Sequence, residues 1–533
     1  MGILSQHPLL RKLLWVLAGL AVLFTIAAII VARRIQPIVR AKAEAMLENR
    51  FQSDVDLPSL EISLANGIYV HGKGLVLRHH GRTDVPPLIE IHDFSAQMSW
   101  VGLFGKPFHI RKVHLEGLII HIPPKEKRDQ GEKAPEQTSA EKPKKKTKDI
   151  PVLVDELVSD NAELVLVPGD PRKDPHVFEI HRLVMHSVGL GHSAAFEAEL
   201  TNATPPGEIH TKGHFGPWQI DDPGQTPLSA DYTFKDADLS VFHGIAGMLS
   251  SEGKFGGVLE NIAVEGWTNV PDFTVSIAGH PVLLKTDFQA TVDGTNGNTL
   301  LHPVIAQFGK STLICNGGVV KAKTGKGREV VLDVVTEHAR IEDLLRFAVK
   351  SETPLMTGNV QLKTKFDLPP GPKDITERLE LDGQFGIGGG QFASAEIRSK
   401  LESLSRRGQG KPEDEDAGSA VSNLKGSFVL HDGEIRFRRL TFGVTGATVE
   451  LAGTYGLKSE QLDFHGKLHL DAKLSQITTG VKSFLLKPFD PFFRKNGETV
   501  VPIKVTGTRD KPSFGLDLHH KEDSKAAEKT GGD

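Results

Sequence analysis

Long stretches of this chain alternate apolar and polar residues one by one. In residues 358–368, Val360, Leu362, Phe366 and Leu368 interleave with Gln361, Lys363, Lys365 and Asp367. In residues 462–474, Leu462, Phe464, Leu468 and Leu470 interleave with Asp463, His465, Lys467 and His469. A strand sends successive side chains to opposite faces, so a period of two gives one apolar face and one solvated face. That is the signature of antiparallel sheet. The same alternation runs through FEAEL (196–200), DYTF (231–234), FTVSI (273–277), FQATV (288–292), LELDGQFGI (379–387) and TVELAGTYGL (448–457). Asn66-Gly67 marks a hairpin turn, and Gly72–Gly74 reads as a second one. Glycine is abundant at 54, while Trp and Tyr number only 4 and 3, which suits many short strands. The expected fold is mainly β, with about twenty strands of ordinary length. One helical interruption is predicted over 341–350, where Ile341, Leu344, Leu345 and Ala348 form a stripe. A sheet with one apolar face must cover it with another sheet, a helix or a ligand. Alternation alone does not separate a packed sandwich from an open trough.

The N-terminus breaks the pattern. Leu13 to Ala32 is an uncharged apolar run, long enough at ~1.5 Å per residue to cross a bilayer core of about 30 Å. Arg11 and Lys12 precede it, and Arg33 and Arg34 follow. The run is too long for a typical signal-peptide core, so residues 13–34 are read as an uncleaved transmembrane anchor behind a cytoplasmic segment, 1–12. Flanking charge does not fix its orientation, because Arg40 and Lys42 add to the far side. Residues 35–51 show helical spacing after Pro37 and read as a juxtamembrane helix.

Composition divides the remainder. Residues 52–122 form an N-terminal β module and residues 150–405 a central β region. Between them, residues 123–149 are charged and poor in apolar side chains, as expected of a disordered loop. Residues 406–420 read as a second such loop, 421–518 as a C-terminal β region, and 519–533 as a polar tail. Within the C-terminal region, residues 474–493 hold an apolar burst. Ser475 is a candidate N-cap, and Phe484 and Leu485 continue a helical stripe from Leu474. Pro488 and Pro491 then leave Phe489, Phe492 and Phe493 in a turn. This helix–turn either caps a sheet edge or dips into a membrane beside Lys482, Lys487, Arg494 and Lys495.

No grouping carries catalytic chemistry, so a non-enzymatic role is expected, with no cofactor. The pairs His79-His80 and His519-His520 lack a third ligand at zinc spacing, so no metal site is expected. His465 and His469 occupy one polar strand face and read as surface residues. GIGGGQF (386–392) has no following Lys-Ser/Thr and reads as a bulge or turn rather than a phosphate loop. Cys315 is the sole cysteine, which excludes an internal disulfide. A formal net charge of −4 gives no global field pointing to nucleic acid.

Several blocks resemble the bacterial AsmA-like family. They are ADLSVFHGIAGMLSSEGKFGGVLENIAVEGW (237–267), the strand block 271–308 and, most closely, the C-terminal block 442–518. The layout of one N-terminal anchor, a short helix and then repeated strands is also similar. The resemblance is one of layout and block pattern, and it covers most of the chain outside the charged loops. It implies an elongated, twisted antiparallel β-groove with few short helices, tethered to the bacterial inner membrane with its bulk in the periplasm. It also implies phospholipid as cargo, with acyl chains along an apolar interior, in the service of outer-membrane and envelope maintenance. On that reading Val360, Leu362, Phe366, Leu462, Phe464, Leu468 and Leu470 are groove-lining candidates. The alternative expectation is a scaffold for envelope assembly that acts on outer-membrane proteins or polysaccharide.

Overall fold

The computed structural model describes residues 40–41, 44–45, 47–48, 53–63, 67–79, 86–99, 108–122, 152–167, 175–189, 191–219, 222–322, 327–413, 422–476, 494–495 and 498–517. Of these, 69% lie in strands, and the strands form one curled, open sheet of 26. At one edge, β1 (Ser53–Asp56) and β2 (Ser59–Ser63) both pair with β3 (Ile68–His79). β4 (Ile89–Met98) and β5 (Phe108–Ile122) come next. The row continues through β6 (Val152–Leu166), β7 (His176–Gly189), β8 (Ala194–Ala203), β9 (Pro206–Phe215) and β10 (Pro227–Asp238). β11 (Ile245–Ala246) and β12 (Met248–Val258) lie beside β13 (Asn261–Val275), and β12 also pairs with β10. A plain meander follows: β14 (Val282–Val292), β15 (Thr299–Phe308), β16 (Ser311–Lys321), β17 (Arg328–Arg340) and β18 (Met356–Leu368). It runs on through β19 (Glu380–Phe392), β20 (Ser422–His431), β21 (Glu434–Val444), β22 (Ala447–Gly456) and β23 (Gln461–Leu470). The short β24 (Arg494–Lys495) and the long β23 both pair with β25 (Glu498–Thr508), and β26 (Lys511–Leu516) forms the last edge. At about 4.8 Å per strand, the row measures on the order of 100 Å.

The sheet is mostly antiparallel, as expected, and departs from that at one pairing, where β5 and β6 run parallel. A parallel neighbour needs a connection long enough to return along the full strand. The charged stretch after Ile122 supplies that length in sequence. A correction concerns Gly72–Gly74. It is not a turn but part of a continuous β3, where Gly74 has φ +72° and Gly72 lies under the ring of Phe94. The expected bulge at 386–392 is present, as the register of β19 against β20 shifts between Ile387 and Gly390.

The helices are few. Ile341–Leu345 is shorter than the predicted 341–350. Ala395–Gly408 is a full helix, capped by Ser394, that reaches into the stretch read as the 406–420 loop. Leu404 packs on the sheet and buried Ser405 donates to the Thr445 carbonyl at 2.8 Å, but a high charge content masks this side of the helix in the sequence. Near the N-terminus, Arg40, Ala41, Glu44, Ala45, Leu47 and Glu48 are helical, and Arg40 donates to the Pro58 carbonyl at 2.9 Å. Among the described residues no helix is long and apolar enough to cross a membrane. The segments expected at 13–34, 123–149 and 519–533 lie outside the described residues.

The apolar face is the inside of the curl, and inward glycines show this. A side chain at Gly213, Gly253, Gly453 or Gly466 would strike the backbone of the adjacent strand. At outward Gly386, Gly388 and Gly443 a side chain would meet open space. Glycine on the crowded side lets a sheet bend, and bulges add twist. The curl is strong enough to join opposite rims. His243, after β10, stands on one rim, and Ile375, between β18 and β19, stands on the other. Yet the Ile375 amide donates to the His243 carbonyl at 2.8 Å. Beside it Gly244, at φ +105°, lies directly against the carboxylate of Asp374. This contact straps the mouth of the curled sheet between β12 and β18.

Candidate functional site

Cross-strand register carries the apolar face from strand to strand. Leu332 of β17 faces Phe366 of β18, which faces Leu381 of β19. Two rows along, beyond Val334, Thr364 and Gly383, come Thr336, Leu362 and Phe385. Farther on, Gly453, Phe464 and Val505 align across β22, β23 and β25, as do Val449, Leu468 and Val501. In a face covered by a second layer these side chains would be fully buried. Here Leu362, Phe366, Leu462 and Leu468 are only half-buried. Val360 and Leu470 are exposed by only 2% and 3%, because helices cover them. Ile341, Leu344 and Leu345 pack on Val360, Ala339, Met356 and Ile387. Leu404 packs on Leu470, Val444 and Ala447. Of the seven candidate lining residues, the structure thus places Val360 and Leu470 under helical lids at one rim. It places Leu362, Phe366, Leu462 and Leu468 along the uncovered face.

Phe464 belongs to an aromatic band. Its ring stands 5.7 Å from Phe437, which lies 6.5 Å from Phe428 and 6.3 Å from Phe385. Edge and tilted ring contacts of this kind add roughly 0.5–1.5 kcal/mol each beyond area burial. Phe385, Phe428 and Phe437 were not singled out from sequence, although each sits at an apolar alternating position. Their convergence follows from register, which no single strand displays. The helix–turn candidates Phe484, Leu485, Phe489, Phe492 and Phe493 lie outside the described residues. Leu474–Gln476 form one 3-10 turn before them, and Ser475 is buried.

Ser159, opposite Leu115 and Leu183 on the apolar face, is fully buried and its Oγ has no hydrogen-bond partner among the described residues, whereas Tyr232 on that face is satisfied. The Tyr232 hydroxyl lies 3.1 Å from Ser251 Oγ, which donates to the Trp267 carbonyl at 2.8 Å. Burial raises the Tyr232 pKa. Burial likewise pushes the Cys315 thiol up, so it stays protonated on the inner face of β16. Neither group forms a nucleophile–base pair with a neighbour in the described geometry.

The outer face carries exposed cross-strand ion pairs, Lys112–Glu156 at 2.6 Å, Lys254–Glu265 at 2.7 Å, and Lys212–Glu197, and it also exposes Trp267, Ile305 and Ile314. Hydrogen bonding to Lys112 and Lys212 lowers the pKa of Glu156 and Glu197. Exposed pairs add little stability, but they favour one register. His465 sits between Asp517 at 2.7 Å and Asp463 at 3.1 Å, and His469 faces Glu498 at 3.2 Å. The two histidines therefore turn to separate carboxylates. His114, Glu116 and Asp160 hold ligand atoms within 4.8 Å of one another, joined only by the parallel β5–β6 pairing. His114 already bonds Asp160 at 2.8 Å, and Asn161 donates to Glu116 at 2.9 Å.

No family model, curated protein or solved structure matches this chain.

Proposed function

We propose that the apolar face of the curled sheet holds the acyl chains of phospholipid, and that the chain is a membrane-anchored lipid-transfer protein of the AsmA-like kind. One observation carries this reading. The apolar face runs across the sheet from strand to strand, yet among the described residues much of it is covered by neither a second sheet nor a helix. Each methylene moved from water onto such a face gains about 0.8 kcal/mol, so a pair of acyl chains would cover it favourably. Headgroups would remain in water at the mouth. The anchor proposed at 13–34 would tether the sheet to the bacterial inner membrane, with the sheet in the periplasm and its far end towards the outer membrane.

The experiment is site-specific photocrosslinking in living bacteria. A benzophenone side chain is placed at Leu362 or Phe366 on the inner face, and at Lys363 or Lys365 on the outer face of the same strand. Mass spectrometry of the purified full chain then seeks lipid adducts. Phospholipid adducts at the inner positions but not the outer ones are expected. Absence of lipid from the inner positions, with the chain folded, refutes the reading.

A further inference from the structure

On the outer face several cations meet carboxylates across the strands, as in Lys112–Glu156, Lys212–Glu197 and Lys254–Glu265. One region instead gathers cations without such partners. It spans β17 to β21 on the outward side, and its three rows are read directly from register. Arg340, Asn359 and Asn423 mark the first row, near the rim. His338, Gln361, Lys425 and Thr441 mark the second. Lys363, Gln384, Ser427 and Arg439 mark the third. The surface is recessed here, in two overlapping hollows of about 960 and 900 Å³ that share His338, Gln361, Lys425 and Thr441. The recess exists because outward Gly386, Gly388 and Gly443 carry no side chain and have open space above them.

No carboxylate lines the recess among the described side chains. Lys310, Lys363, Lys425 and Arg439 form no ion pair among the described residues, and all are exposed. Arg340 is held by Glu342 at 2.7 Å and by Asn359 at 2.8 Å, so it borders the recess as a fixed charge. On the opposite side Arg438 meets Asp382 at 2.9 Å, just outside the third row. Unpaired like charges this close repel one another, and an anion relieves that repulsion.

We infer that this outward recess is a docking site for an acidic polypeptide segment of a partner protein. Its size favours that occupant. Three rows by five strands cover roughly 14 Å by 19 Å, the span of about six or seven extended residues and far larger than one phosphate. The lining supports it too, since Asn359, Gln361, Gln384 and Asn423 present amide groups that can both donate to and accept from a peptide backbone. The three rows hold no Phe, Tyr or Trp on which bases or sugars would stack, which disfavours single-stranded nucleic acid and glycan. A bilayer surface is flat and would meet the borders of the recess rather than its glycine floor. The site faces away from the apolar interior, so the inference stands apart from the lipid reading.

The test uses the full-length chain in nanodiscs of zwitterionic lipid, with fluorescence anisotropy of a labelled oligoglutamate peptide of about eight residues. Saturable binding is expected at low salt, weakening as salt rises. Lys363→Glu, Lys425→Glu and Arg439→Glu together should weaken it by at least about tenfold, through lost attraction and added repulsion. All three positions are exposed, so the fold should survive, which circular dichroism checks. A control variant, Lys112→Glu with Lys254→Glu, should bind like the wild type. No binding, or equal binding by the triple variant, overturns the proposal. Complete competition by inorganic phosphate at millimolar concentration also overturns it, in favour of a small-anion site. Binding to anionic vesicles without binding to the peptide overturns it in favour of a membrane contact.

Discussion

Joining the two rims covalently gives a direct test of the curl. A side chain built at Gly244 would stand 2.8 Å from Asp374 Cγ. One further bond separates that atom from Asp374 Cβ, so the two Cβ positions lie within about 4.3 Å, inside the disulfide range of about 3.5–4.5 Å. In a Cys315→Ser background, Gly244→Cys with Asp374→Cys should therefore crosslink without added force. The bond would close a loop of more than a hundred residues, worth about 4.7 kcal/mol in chain entropy. Two costs offset it. A non-glycine residue at φ +105° costs about 1–3 kcal/mol. Asp374 also caps Thr376, accepting from its amide at 2.8 Å and its hydroxyl at 2.6 Å, and losing that cap costs about 1 kcal/mol. A net gain of about 2 kcal/mol should remain, read as the difference between oxidised and reduced protein in urea denaturation. On the lipid reading, a headgroup held in water at the mouth must pass this strap. Oxidation should then halt transfer across it while leaving lipid adducts at Phe366 intact. If no crosslink forms in the folded protein, the rims do not meet and the curl is wrong. If it forms and transfer continues at the same rate, headgroups do not travel along this mouth.

Other outcomes follow from single residues. Phe464→Ala should destabilise the C-terminal strands by about 3–4 kcal/mol, since it opens a void against Phe437; urea denaturation with loss of less than 1 kcal/mol would contradict the aromatic band. The Asp517 hydrogen bond raises the His465 pKa above its ordinary 6.5, with desolvation opposing and Asp463 assisting. The pair's stabilisation is therefore complete below about pH 6.5 and lost as pH rises through the higher folded value. His465→Ala should lower the melting temperature more at pH 6 than at pH 9, and an equal loss at both would refute the pairing. Burial keeps Cys315 protonated, so iodoacetamide at neutral pH should modify it more slowly than free cysteine, and phospholipid should slow it further. Alkylation unaffected by lipid would argue that acyl chains do not reach β16.

Much of the fold was legible because strand alternation is local. Val360, Leu362 and Phe366, or Leu462, Phe464 and Leu468, share a face by covalent geometry alone. The two departures had physical causes that local pattern does not carry. Gly72–Gly74 resembles a turn, but Phe94 on the next strand supplies the ring that covers Gly72 and keeps β3 continuous. The parallel β5–β6 pair is a choice of neighbour, and both orientations would present the same alternating faces.

By itself, then, the sequence determined the mainly β content and the apolar face. It could not determine how tightly the sheet curls, because curl arises where inward glycines such as Gly253 and Gly466 meet a neighbour's backbone. Nor did it show which lining positions lie under helices, as Val360 and Leu470 do. The strap between His243 and Ile375, and the cations Lys363, Lys425 and Arg439, which form no ion pair among the described residues, join residues far apart in the chain. Only the register of many strands, accumulated along one twisted row, brings such residues together.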